Sequence, residues 1–131
     1  MPPIGFLVVG AGAALGAWLR WLLGVVRNAL VTNLPLGTLA ANLTGGFLMG
    51  VVLEVFDRQS FVPLTLRLFV TAGFLGGFTT FSSFSGEVVG LVTRREWLWE
   101  SGAICAHVAG SLLLTLAGIF VVRALWYAAA P

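Results

Sequence analysis

The chain has 131 residues, 59% hydrophobic and 9% charged, with a net charge of +2. Soluble domains carry about a quarter charged residues, so this composition, with its mean hydropathy of +1.02, excludes a soluble globular domain and indicates an integral membrane protein. The seven basic residues, all Arg, are too few and too scattered for a nucleic-acid partner, and the one Cys, Cys105, excludes an internal disulfide.

A membrane-crossing helix needs about 20 mainly apolar residues, and charges and turn formers divide the chain into four such stretches. The first runs near Ile4 to Val26. Its Ala-x-Ala patterns resemble a processing site, but it lacks a basic leader and stays apolar too long for a signal peptide. Arg20 lies inside it, where a long side chain either snorkels to the interface or faces protein. A turn at Asn33-Leu34-Pro35 leads to the second stretch, Leu36 to Phe56. There Asn42 shares a helical face with Gly45, Gly46 and Met49 by three- and four-residue spacing. The charged loop Asp57-Arg58-Gln59-Ser60 precedes Pro63 and the third stretch, Leu64 to Val92. Thr93-Arg94-Arg95-Glu96 precedes the fourth, Leu98 to Tyr127, along which His107, Ser111 and Thr115 recur every four residues. Trp18, Trp21, Trp97, Trp99 and Trp126 fall towards span ends, as in aromatic belts. Residues 1–131 therefore read as a single all-α unit of four transmembrane helices without a linker.

Positive charge near spans normally marks the cytoplasmic side. Here one side carries Arg27, Arg94 and Arg95 and the other Arg58, Arg67 and Arg123. This balance leaves two possibilities open, a weak bias towards one orientation and dual insertion with oppositely inserted copies pairing about a two-fold axis. Four short helices cannot both line a polar path and screen it from lipid, so a partner is expected. Small residues at four-residue spacing (Gly12/Gly16, Gly46/Gly50, Gly73/Gly77, Gly86/Gly90, Ala106/Gly110) suit close helix packing.

The third stretch carries GGFTTFSSFSGE at residues 76–87. Gly73, Gly76 and Gly77, followed by Thr79, Thr80, Ser82, Ser83 and Ser85, weaken a helix, and a break is expected near Gly76 to Thr80, mid-membrane. Broken backbone at that depth is tolerated only where protein covers it or a cavity receives it. The freed carbonyls suit a hard cation, although a simple kink fits the spacing as well. Phe81 and Phe84, three apart, project from one face. They are either packing residues or ring edges turned to a path, and a positive ring edge offers an anion mild stabilisation.

The run GGFTTFSSFSGE closely resembles the signature of the Fluc (CrcB-type) fluoride channels, and GAWLRW in the first span and AANLTGGFLMG in the second extend that resemblance over the whole chain. The resemblance implies an antiparallel dual-topology homodimer in the plasma membrane of a microbe, a bacterial inner membrane being the expected one. It implies two pores for passive fluoride export and a central structural sodium ion, with no catalysis and no organic cofactor. By the same match, the backbone carbonyls of Gly76 and Thr79 hold the sodium. Asn42, Phe81, Phe84, Ser111 and Thr115 lie along the fluoride path.

Ser83 stands where the family often has Thr and keeps the hydroxyl. His107 sits one turn before Ser111, where a small hydroxyl would suit a polar track better; it either caps the path or packs with a hydrogen bond. Glu87 is expected near a vestibule or helix end, with a proton-coupled carboxylate as the alternative. Arg20 either draws anions to an entrance or locks helices through carbonyls. Other classes fit less well. A proton-coupled small-solute antiporter needs an ionisable group at mid-depth, where Asn42 sits instead. Ser85 with His107 makes a weak hydrolase dyad among so many hydroxyls, and a non-transporting assembly subunit needs no polar third span.

Overall fold

The computed structural model describes residues 3–28 and 35–129. Asn33 and Leu34 of the expected first turn lie outside them. Every regular element among the described residues is helical: α1 (Pro3–Arg27), α2 (Leu36–Arg58), α3 (Leu64–Leu68), a wide π-helical segment (Phe69–Leu75), α4 (Gly76–Phe78), α5 (Phe81–Thr93) and α6 (Trp97–Ala128). Four helical runs are long and apolar enough to cross a membrane, namely α1, α2, Leu64–Thr93 and α6, so the chain is an all-helical multi-pass membrane protein. Proline marks the helix starts. Pro3 opens α1, and Pro35 and Pro63 precede α2 and α3, positions where a missing N–H costs nothing.

Glycine sets how the helices meet. The buried residues of α1 are Gly5, Gly12 and Gly16, so this helix packs through its backbone. A Cβ on Gly12 would meet the Phe69 carbonyl and the Phe74 amide, one on Gly16 the Phe74 carbonyl, and one on Gly77 the Ala13 carbonyl. These contacts lock α1 along the first half of the third span. A second pair forms between α2 and α6. Asn42 meets His107 across a separation of 65 residues, and Gly46 against Ser111 and Gly50 against Thr115 repeat that offset one and two turns on. The two helices therefore run parallel and in register, as small-residue packing in lipid allows. A Cβ on Gly86 or Gly90 would meet nothing within 4 Å among the described residues, so this pair does not serve the same packing.

At the C-terminal ends of α2 and α6, the buried Glu54 carboxylate accepts from Arg58 Nε at 2.7 Å and pairs with Arg123 Nε at 3.1 Å. Charges inside spans are costly unless paired, and this cluster ties the two helices where they approach the interface. At the other end α5 closes with the Glu96 N–H on the Leu91 carbonyl at 3.0 Å and Arg95 at φ 59°, a left-handed cap usually filled by Gly. The outer surface is apolar. Phe6, Trp18, Trp21, Leu113 and Phe120 are all exposed, as residues facing acyl chains would be.

Candidate functional site

The third span loses helical geometry at two residues. Thr79 (φ −86°, ψ 158°) and Thr80 (φ −151°, ψ 117°) are extended, between α4, which carries two glycines, and α5, which begins at Phe81. Each side of this interruption is capped from within. The Thr79 N–H and hydroxyl both donate to the Leu75 carbonyl, at 3.0 and 2.9 Å. The Thr80 hydroxyl accepts from the Ser83 N–H at 3.1 Å and caps α5.

Neighbouring helices supply the rest. Asn42 Oδ1 accepts from the Thr80 N–H at 2.8 Å, and Asn42 Nδ2 donates to the Thr80 carbonyl at 3.0 Å. Arg20 Nε, from α1, donates to the Gly77 carbonyl at 3.1 Å. This contact joins α1 to α4 through a backbone carbonyl. An unbroken helix would send the Thr80 N–H to Gly76 and the Ser83 N–H to Thr79. Both donors go elsewhere, which leaves the carbonyls of Gly76 and Thr79 without those helical partners.

Beside the interruption a groove of about 430 Å³ opens between α2, α5 and α6. Asn42, Phe81, Phe84, Ser111 and Thr115 line it together with His107 and Thr79, whereas Gly76 does not. Phe81 is 76% exposed on the rim and Phe84 only 7% exposed, their rings 5.5 Å apart and inclined by 63°. Phe84 also stacks on the His107 ring at 4.7 Å. The Thr115 hydroxyl bonds the carbonyls of Gly46 and Ser111, at 3.0 and 2.9 Å, so its proton joins α2 to α6.

Glu87 lies in the middle of α5, and with Pro35, Ser83 and Arg94 it lines a second hollow of about 410 Å³. Its Oε1 accepts from the Thr38 hydroxyl at 2.7 Å, and its Oε2 stands 4.0 Å from His107 Nε2. Ser85 and His107, the dyad considered above, are not joined by a hydrogen bond among the described residues. Sequence reading overlooked Thr38 and Glu54. Glu54 was open to detection as an acid four residues before Arg58, the spacing of a helical ion pair.

The helices and groove together define a small multi-pass membrane protein whose polar groups gather beside an interrupted span. A family model described as "CrcB-like protein, Camphor Resistance (CrcB)" matches residues 7–119. A Nitrosospira multiformis protein named fluoride-specific ion channel FluC is 55% identical over 115 residues, 88% of this chain and 90% of that protein. A protein of the same name from Ralstonia pickettii is 53% identical over 123 residues, 94% of this chain and 98% of its own length. One from Dechloromonas aromatica is 50% identical over 121 residues, 92% of this chain and 90% of its own. The chain belongs to the CrcB-like family.

Proposed function

We propose that this protein is a subunit of a fluoride-selective channel, in which two oppositely inserted copies form a homodimer with two antiparallel pores for passive fluoride export from a bacterial cytoplasm. The observation that carries the reading is the groove, polar along Asn42, Ser111 and Thr115, rimmed by the exposed Phe81 ring and open on one side, on a chain whose near full-length relatives bear the fluoride-channel name. A single copy leaves that groove facing lipid, so a second copy has to cover it, and inversion brings the same residues to both pores.

The chemistry suits a small dehydrating anion. A bare anion costs tens of kcal/mol to bury by Born estimates, and a conducting site has to offset much of that without trapping the ion. The Ser111 hydroxyl and the exposed Phe81 ring edge do so mildly, whereas Arg20, outside the groove lining, directs its Nε–H to the Gly77 carbonyl.

The same reading includes a central sodium ion held by the Gly76 and Thr79 carbonyls of both copies. These oxygens fit it, because their usual helical donors are drawn away by Asn42 and by the Thr80 hydroxyl, and neutral carbonyls are hard donors suited to such a cation. A bound sodium would supply the positive charge that joins two interrupted spans.

The test is passive efflux from liposomes loaded with fluoride and chloride. Fluoride release down its gradient with chloride retained supports the proposal. Equal release of both ions would overturn it, and uptake of fluoride driven by a proton gradient would favour exchange over a channel.

A further inference from the structure

The Asn42 amide lies in the groove but has no hydrogen left for an ion. One Nδ2 hydrogen goes to the Thr80 carbonyl, and the other faces His107 Nδ1 at 3.1 Å. The two Thr80 contacts decide which end of the amide is which, since a peptide N–H needs an acceptor and a carbonyl needs a donor. Nδ2 therefore meets His107, and the ring nitrogen it meets has to accept. A neutral imidazole that accepts at Nδ1 carries its proton on Nε2.

That Nε2 belongs to a residue 4% exposed and has no hydrogen-bond partner among the described residues. Glu87 Oε2 faces it at 4.0 Å, the other carboxyl oxygen being anchored by Thr38, so a proton on that nitrogen points towards an acceptor oxygen. Phe84 stacked on the ring restricts its rotation. With the proton on Nδ1 instead, N–H would confront N–H. The amide would turn over, and its ends would then oppose the N–H and carbonyl of Thr80, leaving two backbone groups unpaired inside the membrane.

We propose that His107 is a positioning residue: held as the Nε2–H tautomer, it fixes the Asn42 amide, which in turn splints Thr80 in the extended conformation that interrupts the third span. Glu87, held by Thr38, sets the tautomer. The inference depends on the fluoride-channel reading only for its flux arm.

This sequence contains a single histidine, so ring-15N-histidine labelling of untagged protein in bilayers reports His107 without further assignment. The expected spectrum has an unprotonated, hydrogen-bond-accepting Nδ1 and a protonated Nε2. The opposite tautomer would overturn the proposal. In liposomes, His107→Gln, whose Oε1 can accept from Asn42, is expected to keep near wild-type fluoride efflux. His107→Leu, apolar and without an acceptor, is expected to lose about tenfold, the scale of one hydrogen bond. Equal efflux from the two variants would also overturn it. If the Leu variant fails to fold, the spectrum alone decides. A wild-type protein that shows the expected spectrum but releases no fluoride would refute the channel reading and leave the positioning role standing.

Discussion

Phe81 leaves most of its ring uncovered, while Phe84, three residues on, is buried against His107. Aromatic edges stabilise anions weakly and directionally, so losing the exposed ring should affect transport far more than folding. Phe81→Ile is expected to lower fluoride efflux at least about tenfold, roughly one hydrogen bond's worth of stabilisation, with an unchanged elution profile in detergent. Full efflux from the folded variant would count against the ring-edge mechanism. Thr79 makes a different prediction. Its hydroxyl bonds the Leu75 carbonyl and its methyl fills the space over Gly45, so Thr79→Ala should loosen the backbone that presents the proposed sodium-binding oxygens. The sodium concentration needed to support efflux should rise, and an unaltered sodium titration would argue against that site. The sequence made Asn42 legible as a polar group inside a span. It could not show that both amide hydrogens are committed to Thr80 and His107, because that depends on two other helices arriving at the same point.

Among the elements, α2 and α6 show how far small residues decide the architecture. The four-residue spacing of Gly46 and Gly50 was visible in the sequence, and both meet the backbone of α6, at Ser111 and Thr115. Gly86 and Gly90 have the same spacing, and a Cβ on either would meet nothing among the described residues, so spacing alone could not distinguish a packing face from an open one. A Cβ at Gly50 would collide with the Thr115 carbonyl, which is backbone and cannot rotate aside. Gly50→Ala is therefore expected to destabilise the fold by about 1–3 kcal/mol, the usual cost of overpacking, seen as a lower midpoint in thermal unfolding. An unchanged midpoint would show that α2 and α6 have room to separate. The π-helical segment Phe69–Leu75 had no sequence signature; within it Gly73 lies against the Val9 carbonyl and Gly12. The Glu54 cluster was similarly hidden, because Arg123 comes from a helix remote in sequence.

For the whole molecule, the four apolar stretches and their boundaries were plain from composition, since each crossing requires a long apolar run. Composition left open whether copies pair, because that depends on which side each helix end faces and on what covers the groove. The arginines balance between the two ends, and an oppositely inserted partner is the proposal that both closes the groove and explains this balance. Two variants with opposite charge bias test it most directly. Arg94→Gln with Arg95→Gln weakens the positive charge at one end, and Thr93→Lys with Leu98→Lys strengthens it at the same end, so each variant should insert in a single, opposite orientation. Proteoliposomes made from either variant alone are predicted to retain fluoride, and those made from co-expressed variants to release it. Full fluoride release from one variant inserted in one orientation would contradict the account.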